Sequence, residues 1–352
     1  MTEKVLVAFS GGVDSSVACH LLKEQGYEVI GVYFQLGTVP PLPEIEKKAL
    51  LNAQRSASQL GIKFISLDSK ERFFKKVVKP FVRWYLRGRT PNPCAVCNPE
   101  VKFWALFQLK RELGAGWVAT GHYARVVYDS NFREYQLLEA VDRNKDQSYF
   151  LFKLKPAWLG KIIFPLGEKS KARIKKYAQE LGLTSGKKEE SQDLCFVYSR
   201  NYAQVIEHLA EKPPREGDII TLDGKVLGRH KGIYYYTIGQ HRGLGINEPG
   251  WYVVKILPEK NQIVVGRESE LYHQVMLVED LNWLVKVEFP LSCQAKIRYR
   301  SEKADCLVEK AGEKEVLVRF SQRQRAITPG QASVFYLGER VLGGGWIKEV
   351  IE

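Results

Sequence analysis

The chain has 352 residues, 45% of them hydrophobic and 26% charged, a balance that suits two or three folded domains and excludes a disordered or fibrous chain. No run of about 18 apolar residues occurs, so no membrane span is expected. The start Met1-Thr2-Glu3-Lys4 carries no secretory pattern, so a cytoplasmic protein is expected. The net charge of +13 exceeds what a nucleotide alone requires and points to a polyanionic partner, nucleic acid first.

In chain order, Val5–Phe9 reads as a buried strand and Ser16–Gln25 as a helix. Between them lies Ser10-Gly11-Gly12-Val13-Asp14-Ser15-Ser16. Glycines let a backbone approach an anion, and a new helix offers free N–H groups and a positive dipole end. The serine hydroxyls add donors, so the string is a phosphate cradle. It lacks the Lys-Ser/Thr ending of the Walker loop. The string resembles the pyrophosphate (PP) loop of ATP pyrophosphatases. That resemblance implies cleavage of ATP between the α- and β-phosphates and adenylation of a substrate oxygen.

Glu28–Phe34, Lys63–Leu67 and Trp117–Ala119 read as further strands. Glu44–Gln59, Lys70–Leu86 and Val101–Leu113 read as helices. The alternation predicts an α/β domain with a parallel sheet and ligands at the carboxyl ends of its strands. From Lys145 to Leu183 the pattern is helical, ending in Arg173–Glu180. Gly186–Asp193 reads as a charged, mobile segment, and Tyr202–Ala210 as one more helix. Pro213 to Asp218 marks a boundary, after which periodicity drops to two. Strands are expected at Ile219–Leu222, Trp251–Leu257, Gln262–Val265, Cys293–Tyr299, Glu315–Phe320 and Ala332–Tyr336. The expected organisation is a catalytic domain over 1–211, a small β-rich domain over 212–275 and a β-barrel over 276–352.

Six cysteines in a chain of this length do not form a disulfide framework. Cys19, Cys293 and Cys306 fall in apolar elements and read as packing residues. Cys94 and Cys97 form a CxxC in the loop Arg87–Cys94, where a helix N-terminus with Arg87 and Arg89 would stabilise thiolates. Cys195 stands apart in Ser191–Phe196. One thiol pair does not make a structural zinc site. Three thiolates suit redox sulfur chemistry or an iron–sulfur cluster with one open iron position. His122, in Thr120–Arg125 after a strand, is placed to contact phosphate or RNA.

Taken in order, the motifs resemble bacterial tRNA-specific 2-thiouridylases of the MnmA type. They are Ala8–Ser16; Arg89–Pro93 with Cys97-Asn98 and Lys102-Phe103; Thr120–Arg125; Lys145–Leu151; Asp193–Phe196; Tyr235–Gln240 with Arg242–Gly245; and Ile327–Gln331. The resemblance implies a PP-loop domain, a small central domain and a C-terminal β-barrel that together thiolate C2 of the wobble uridine, position 34, in tRNAs for Lys, Glu and Gln. By position, Ala8, Phe9, Ser10, Gly11, Gly12, Val13, Asp14 and Ser15 would hold ATP phosphates with Mg²⁺. Phe34 would meet the adenine and Gly121 the nucleotide. Asn92, Pro93 and Cys94 would face the target base. His122, Lys145, Asp146, Gln147, Arg298, Tyr299 and Gln331 would contact tRNA. Cys97 would be the nucleophile and Cys195 the persulfide carrier. A cysteine desulfurase, a sulfur-relay protein or inorganic sulfide would supply sulfur.

Cys94 stands where the family pattern has Asp, the family's candidate acid/base, and a thiol does not replace a carboxylate of pKa about 4. The change creates a third thiol, so Cys94, Cys97 and Cys195 are also candidate ligands of a [4Fe-4S] cluster. Two sulfur routes follow, a persulfide on Cys195 resolved by Cys97, or a cluster-bound sulfide; the count of thiols leans to the cluster. Two rival functions are an amidating ligase of PP-loop type acting on a small metabolite and a non-catalytic tRNA-binding protein.

Overall fold

A computed structural model describes residues 2–183, 194–197, 201–212 and 215–351. The segment expected to be mobile, the Asp193 end of one motif, and Pro213-Pro214 lie outside the described residues. The chain divides into two units. The first comprises residues 1–77, 94–200 and 339–342; the second comprises 78–93, 201–338 and 343–352.

The first unit is built on a parallel sheet of β1 (Lys4–Ala8), β2 (Glu28–Gln35), β3 (Lys63–Asp68), β4 (Trp117–Thr120) and β7 (Ile162–Ile163), in the order β3-β2-β1-β4-β7. β1 is central because it is apolar on both faces: Val5, Leu6 and Val7 are wholly buried, as a strand covered on both sides must be. Helix α1 (Val13–Glu24) packs Cys19 and Leu22 with Val5, Val7 and Ala53, and packs Val17, Ala18 and Leu21 with Ile174 and Ala178. It is therefore buried between α2 (Pro43–Leu60) and α8 (Lys171–Glu180). The helix begins at Val13, three residues before the expected start, because Gly12 takes the extended backbone of an N-cap.

Between Lys145 and Leu183 the expected helical run is broken. It holds a 3₁₀ turn (Ser148–Leu151), the four-residue α7 (Pro156–Leu159), β7 and α8. Pro156, Pro165, Gly160 and Gly167 punctuate the segment, and proline cannot sit in a helix interior. A hairpin of β5 (Ala124–Asp129) and β6 (Glu134–Glu139), not expected from the pattern, follows β4. The helical stretch Lys70–Leu86 contains a π turn at Phe74–Val78 between α3 (Lys70–Phe73) and α4 (Lys79–Leu86). A second π turn, Asn98–Phe103, joins α5 (Pro93–Cys97) to α6 (Trp104–Glu112).

In the second unit, α9 (Tyr202–Leu209) leads to a four-stranded sheet of β8 (Gly217–Thr221), β9 (Val226–His230), β10 (Tyr252–Leu257) and β11 (Gln262–Gly266). Ile219, Val253, Ile263 and Val265 form its core. Six further strands follow: β12 (Tyr272–Trp283), β13 (Leu291–Lys296), β14 (Ala304–Lys310), β15 (Glu315–Arg325), β16 (Ala332–Leu337) and β17 (Arg340–Val350). They run β12-β15-β14-β13-β16-β17, and β12 pairs back onto β17, so these six strands close into a barrel, and Arg340 of β17 also pairs with Leu138 of β6. β13 stops at Lys296, short of the expected Tyr299, where the chain turns. Cys293 and Cys306 face each other across β13 and β14 and are buried, as packing residues should be.

Candidate active site

The PP loop leaves the carboxyl end of the central strand. The Phe9 amide still donates to Val32 O at 2.8 Å, so the loop starts from a fixed point. Gly11 has φ +72°, and a Cβ there would lie 2.7 Å from Ala53 Cα, so both the turn and the approach of α2 require glycine. The loop is tied internally. Ser10 N donates to Ser15 Oγ at 3.2 Å, Gly12 N to Ser10 Oγ at 3.3 Å, and Ser15 Oγ to Gly12 O at 3.0 Å. No side chain caps α1, so its first-turn N–H groups are left for an anion. Gly121 closes the other wall: a Cβ there would lie 3.1 Å from Asp14 C and Ser15 N. Phe34 is half-buried near the end of β2, at the same edge of the sheet.

Asp14 does not point freely into this cradle. Lys171 Nζ lies 2.8 Å from both of its carboxylate oxygens, and Tyr123 OH donates to it at 2.9 Å. Lys171 opens α8, so the ion pair fastens the loop to a second helix. Neither Tyr123 nor Lys171 was marked as functional by the sequence; the contacts span 109 and 157 residues, beyond any local pattern.

The three thiols gather in the same unit. Cys94 and Cys97 lie on α5, three residues apart. Cys195 sits in a short segment anchored by Phe196, which is buried, packs on Phe73 at 5.6 Å and accepts from Val39 N at 3.1 Å. Cys94 and Cys195 touch solvent and Cys97 is buried. Yet the protein around all three sulfurs is dense, and ionisation responds to that whole volume rather than to the strip open to water. Burial raises Cys94 to about 11 and Cys97 to about 12, with Cys195 raised in the same sense. The expected stabilisation of thiolates by Arg87 and Arg89 is therefore corrected. Arg89 is engaged by Glu279 at 2.6 Å within the second unit, and the charge that lowers all three thiols is Lys102.

Lys102 follows Cys97 by five residues. That spacing faces away on an α-helix, but the i→i+5 bonding of the π turn brings it round. Burial works to lower its ammonium, and the three sulfurs overcome that and raise it. Its charge neighbours among the described residues are these thiols and the His122 ring. The sequence marked Lys102 as part of a motif without a role.

The donor set of three thiols has the chemistry of a cluster site. The geometry does not supply a preformed one: among the described residues, no three Cys, His, Asp or Glu side chains converge on a metal position. An ammonium shares the thiols' surroundings instead.

His122 lies between the rings of Phe103 and Phe164, at 6.4 and 6.3 Å. Burial, then Lys102, lowers its pKa to about 3, so the ring is neutral and meets any RNA as a hydrogen-bonding group. Its own amide donates to Thr120 Oγ1 at 3.3 Å, and the same hydroxyl is hydrogen-bonded to the ring Nδ1 at 2.7 Å. Asp146 accepts from Ala140 N at 2.9 Å and from Ser148 Oγ at 2.8 Å, and burial raises it. Gln147 exchanges bonds with the Tyr123 backbone at 2.7 and 3.1 Å. Both side chains hold the loop from Lys145 in place. The second unit carries Asn92, Pro93, Arg298, Tyr299 and Gln331. Arg298 Nη2 donates to Ile238 O at 3.0 Å, to Ala326 O at 2.8 Å and to Thr328 Oγ1.

A glycine cradle at the carboxyl edge of a parallel sheet, with a thiol recess in the same unit, defines a nucleotide-binding protein of the PP-loop class equipped for sulfur chemistry. Three family models match the chain in order: a tRNA methyl transferase HUP domain over residues 3–199, a tRNA methyl transferase PRC-barrel domain over 204–267 and an aminomethyltransferase β-barrel domain over 273–347. The tRNA-specific 2-thiouridylase MnmA of Carboxydothermus hydrogenoformans is 44% identical, covering 99% of this chain and 98% of that protein. The MnmA of Syntrophotalea carbinolica is 43% identical over 97% and 98%. Among solved structures, the U34-tRNA thiolase NcsA from Methanococcus maripaludis with its [4Fe-4S] cluster is 21% identical over 58% of this chain and 63% of that one, with a TM-score of 0.36. The chain belongs to the tRNA-specific 2-thiouridylase (MnmA) family.

Proposed function

We propose that this chain is a tRNA-uridine sulfurtransferase that uses ATP to convert uridine 34 of tRNAs for Lys, Glu and Gln to 2-thiouridine. The observation that carries the reading is the pairing, within one unit, of an uncapped PP-loop helix with a recess of three cysteines around one ammonium. Uridine O2 attacks the α-phosphorus of ATP, pyrophosphate leaves, and the base carries AMP at C2. The loop amides of Gly11 to Ser15 hold the departing pyrophosphate. Mg²⁺ on the phosphates would supply further charge neutralisation.

The sulfur step runs through cysteine sulfur. A donor protein that carries its own cysteine persulfide passes the outer sulfur to the Cys195 thiolate, which leaves a persulfide on Cys195 and a free thiol on the donor. Its terminal sulfur attacks C2 and AMP departs. The Cys97 thiolate then attacks Cys195 Sγ, which frees 2-thiouridine and forms a Cys97–Cys195 disulfide that an external dithiol reduces. Burial makes each thiolate costly, and the Lys102 ammonium offsets that cost as the charge forms. Asn92 and Pro93 would face the base, Cys94 would border it, and the neutral His122 ring would meet the RNA. With no carboxylate at position 94, the acid/base role stays unassigned to that residue. The basic charge suits tRNA, and acting on tRNA places the protein in the cytoplasm.

The test is a thiolation assay with tRNA, ATP, cysteine and a cysteine desulfurase as persulfide donor, measuring 2-thiouridine, AMP and pyrophosphate together. All three are expected in equal amounts. Protein that forms none of them from ATP and tRNA sinks the reading, and AMP on a small metabolite without tRNA would favour the amidating ligase. Iron and labile-sulfide analysis of anaerobically purified protein separates the sulfur routes. Full activity without iron is expected, and activity that tracks iron content would replace the persulfide route by the cluster.

A further inference from the structure

The turn Pro329-Gly330-Gln331 lies in the second unit, and so does the segment Val78–Pro93. The two are bonded at one residue. Thr90 N donates to Pro329 O at 2.9 Å, and Gln331 Nε2 donates to Thr90 O at 2.9 Å. Both backbone polar groups of Thr90 are therefore taken by a single turn. Gly330 sits between them with φ +93°, and a Cβ there would lie 2.9 Å from Thr90 N, 3.0 Å from Thr90 O and 3.0 Å from Arg89 Cβ. The approach is as close as backbone permits. Thr90 Oγ1 reaches Thr237 Oγ1 at 3.3 Å, and Arg89 is held by Glu279.

The turn itself is fixed by the barrel. Gly330 N donates to Ile347 O and Ile347 N to Gln331 O, both at 2.8 Å. Thr328 is buried and bonded by Arg298. Pro91 and Pro93 follow Thr90 and carry no N–H, so the amide donors of this stretch are those of Thr90 and Asn92, and at Thr90 both the N–H and the C=O are held by the turn. Three residues on, Pro93 opens α5, the helix of Cys94 and Cys97.

We propose that Gln331, with Gly330, is a positioning clamp on Thr90 that fixes the start of the cysteine helix for the sulfur step. This assigns the motif Ile327–Gln331 to loop geometry rather than to a direct tRNA contact. It rests on the thiolation reading above.

The experiment compares wild type with Gln331→Leu, which keeps the length and loses the donor. Hydrogen exchange over residues 85–93 of the free protein is expected to quicken by about threefold to tenfold, with barrel strands unchanged. The kcat for 2-thiouridine is expected to fall by about tenfold to a hundredfold, with tRNA affinity by filter binding held within about twofold. A tRNA-contact role predicts the reverse, weakened tRNA affinity with unchanged exchange and kcat, and that result overturns the clamp. So does unchanged exchange alone. Gly330→Ala is the stronger variant; if it does not fold, Gln331→Leu decides. Wild-type protein that makes no 2-thiouridine counts against the proposed reaction, while the exchange result still decides whether Thr90 is clamped.

Discussion

The PP loop and the thiol recess share one unit and are built on opposite principles. The loop is finished before any ligand arrives. Its backbone is bonded to its own serines, Gly11 is demanded by its positive φ and by the approach of α2, and Lys171 and Tyr123 hold its one carboxylate. The recess is unfinished. Its thiols are raised by burial, its ammonium has sulfur for company, and its third cysteine arrives from a segment about a hundred residues away. The difference follows from what each binds. A polyphosphate is always charged and is met by fixed N–H groups at no cost in reorganisation. A sulfur nucleophile must be neutral while it waits and charged when it reacts, which a site poised against ionisation and relieved by one cation can provide.

If the two regions serve separate half-reactions, they should fail separately. Cys97→Ser is expected to lower 2-thiouridine formation by about a thousandfold while ATP and tRNA still yield AMP and pyrophosphate. Asp14→Asn should instead depress pyrophosphate release by at least about a hundredfold. Loss of both products in both variants would erase the distinction. Lys102→Met is expected to cost the sulfur step about tenfold to a hundredfold near neutral pH. Removing the cation raises thiols that are already high, so activity should recover as pH rises, and a pH–rate profile that does not move upward would remove Lys102 from the chemistry. Gly121→Ala should push on the Asp14–Ser15 backbone and raise the KM for ATP by about tenfold, leaving cysteine alkylation rates unchanged.

The smallest expected effect is on stability. His122 is held near pKa 3 in the fold and returns to about 6.5 when unfolded. The unfolded chain therefore binds the extra proton, and stability falls as pH drops below 6.5, by about 2 kcal/mol at pH 5. His122→Phe should flatten that part of the profile in thermal melts at pH 7 and pH 5. An unchanged slope would mean that the ring charges freely in the fold.

Legibility followed range. β1, β2, β3 and α2 were readable because a buried strand and an amphipathic helix announce themselves within a dozen residues. The loop was readable to the residue, although α1 starts at Val13 because the N-cap geometry of Gly12 outweighs the apolar periodicity that begins later. The run after Lys145 was misread as helix, where prolines and glycines divide it. The β5–β6 hairpin escaped because its strands expose Val127, Tyr128 and Tyr135, so inside and outside look alike in the pattern.

By itself the sequence determined the α/β class, the phosphate cradle, and through its ordered motifs the family and the kind of reaction. These depend on local backbone chemistry and on strings that survive being read one after another. The tertiary structure alone decided that Lys171 and Tyr123 grip Asp14, that burial opposes the thiolates, that Lys102 and not Arg87 or Arg89 answers their charge, and that Gln331 reaches Thr90. Each is a through-space balance of desolvation, Coulomb attraction and hydrogen bonding between residues from separate stretches of chain. A π turn that rotates one lysine by a fraction of a turn is enough to change which charge the sulfurs feel.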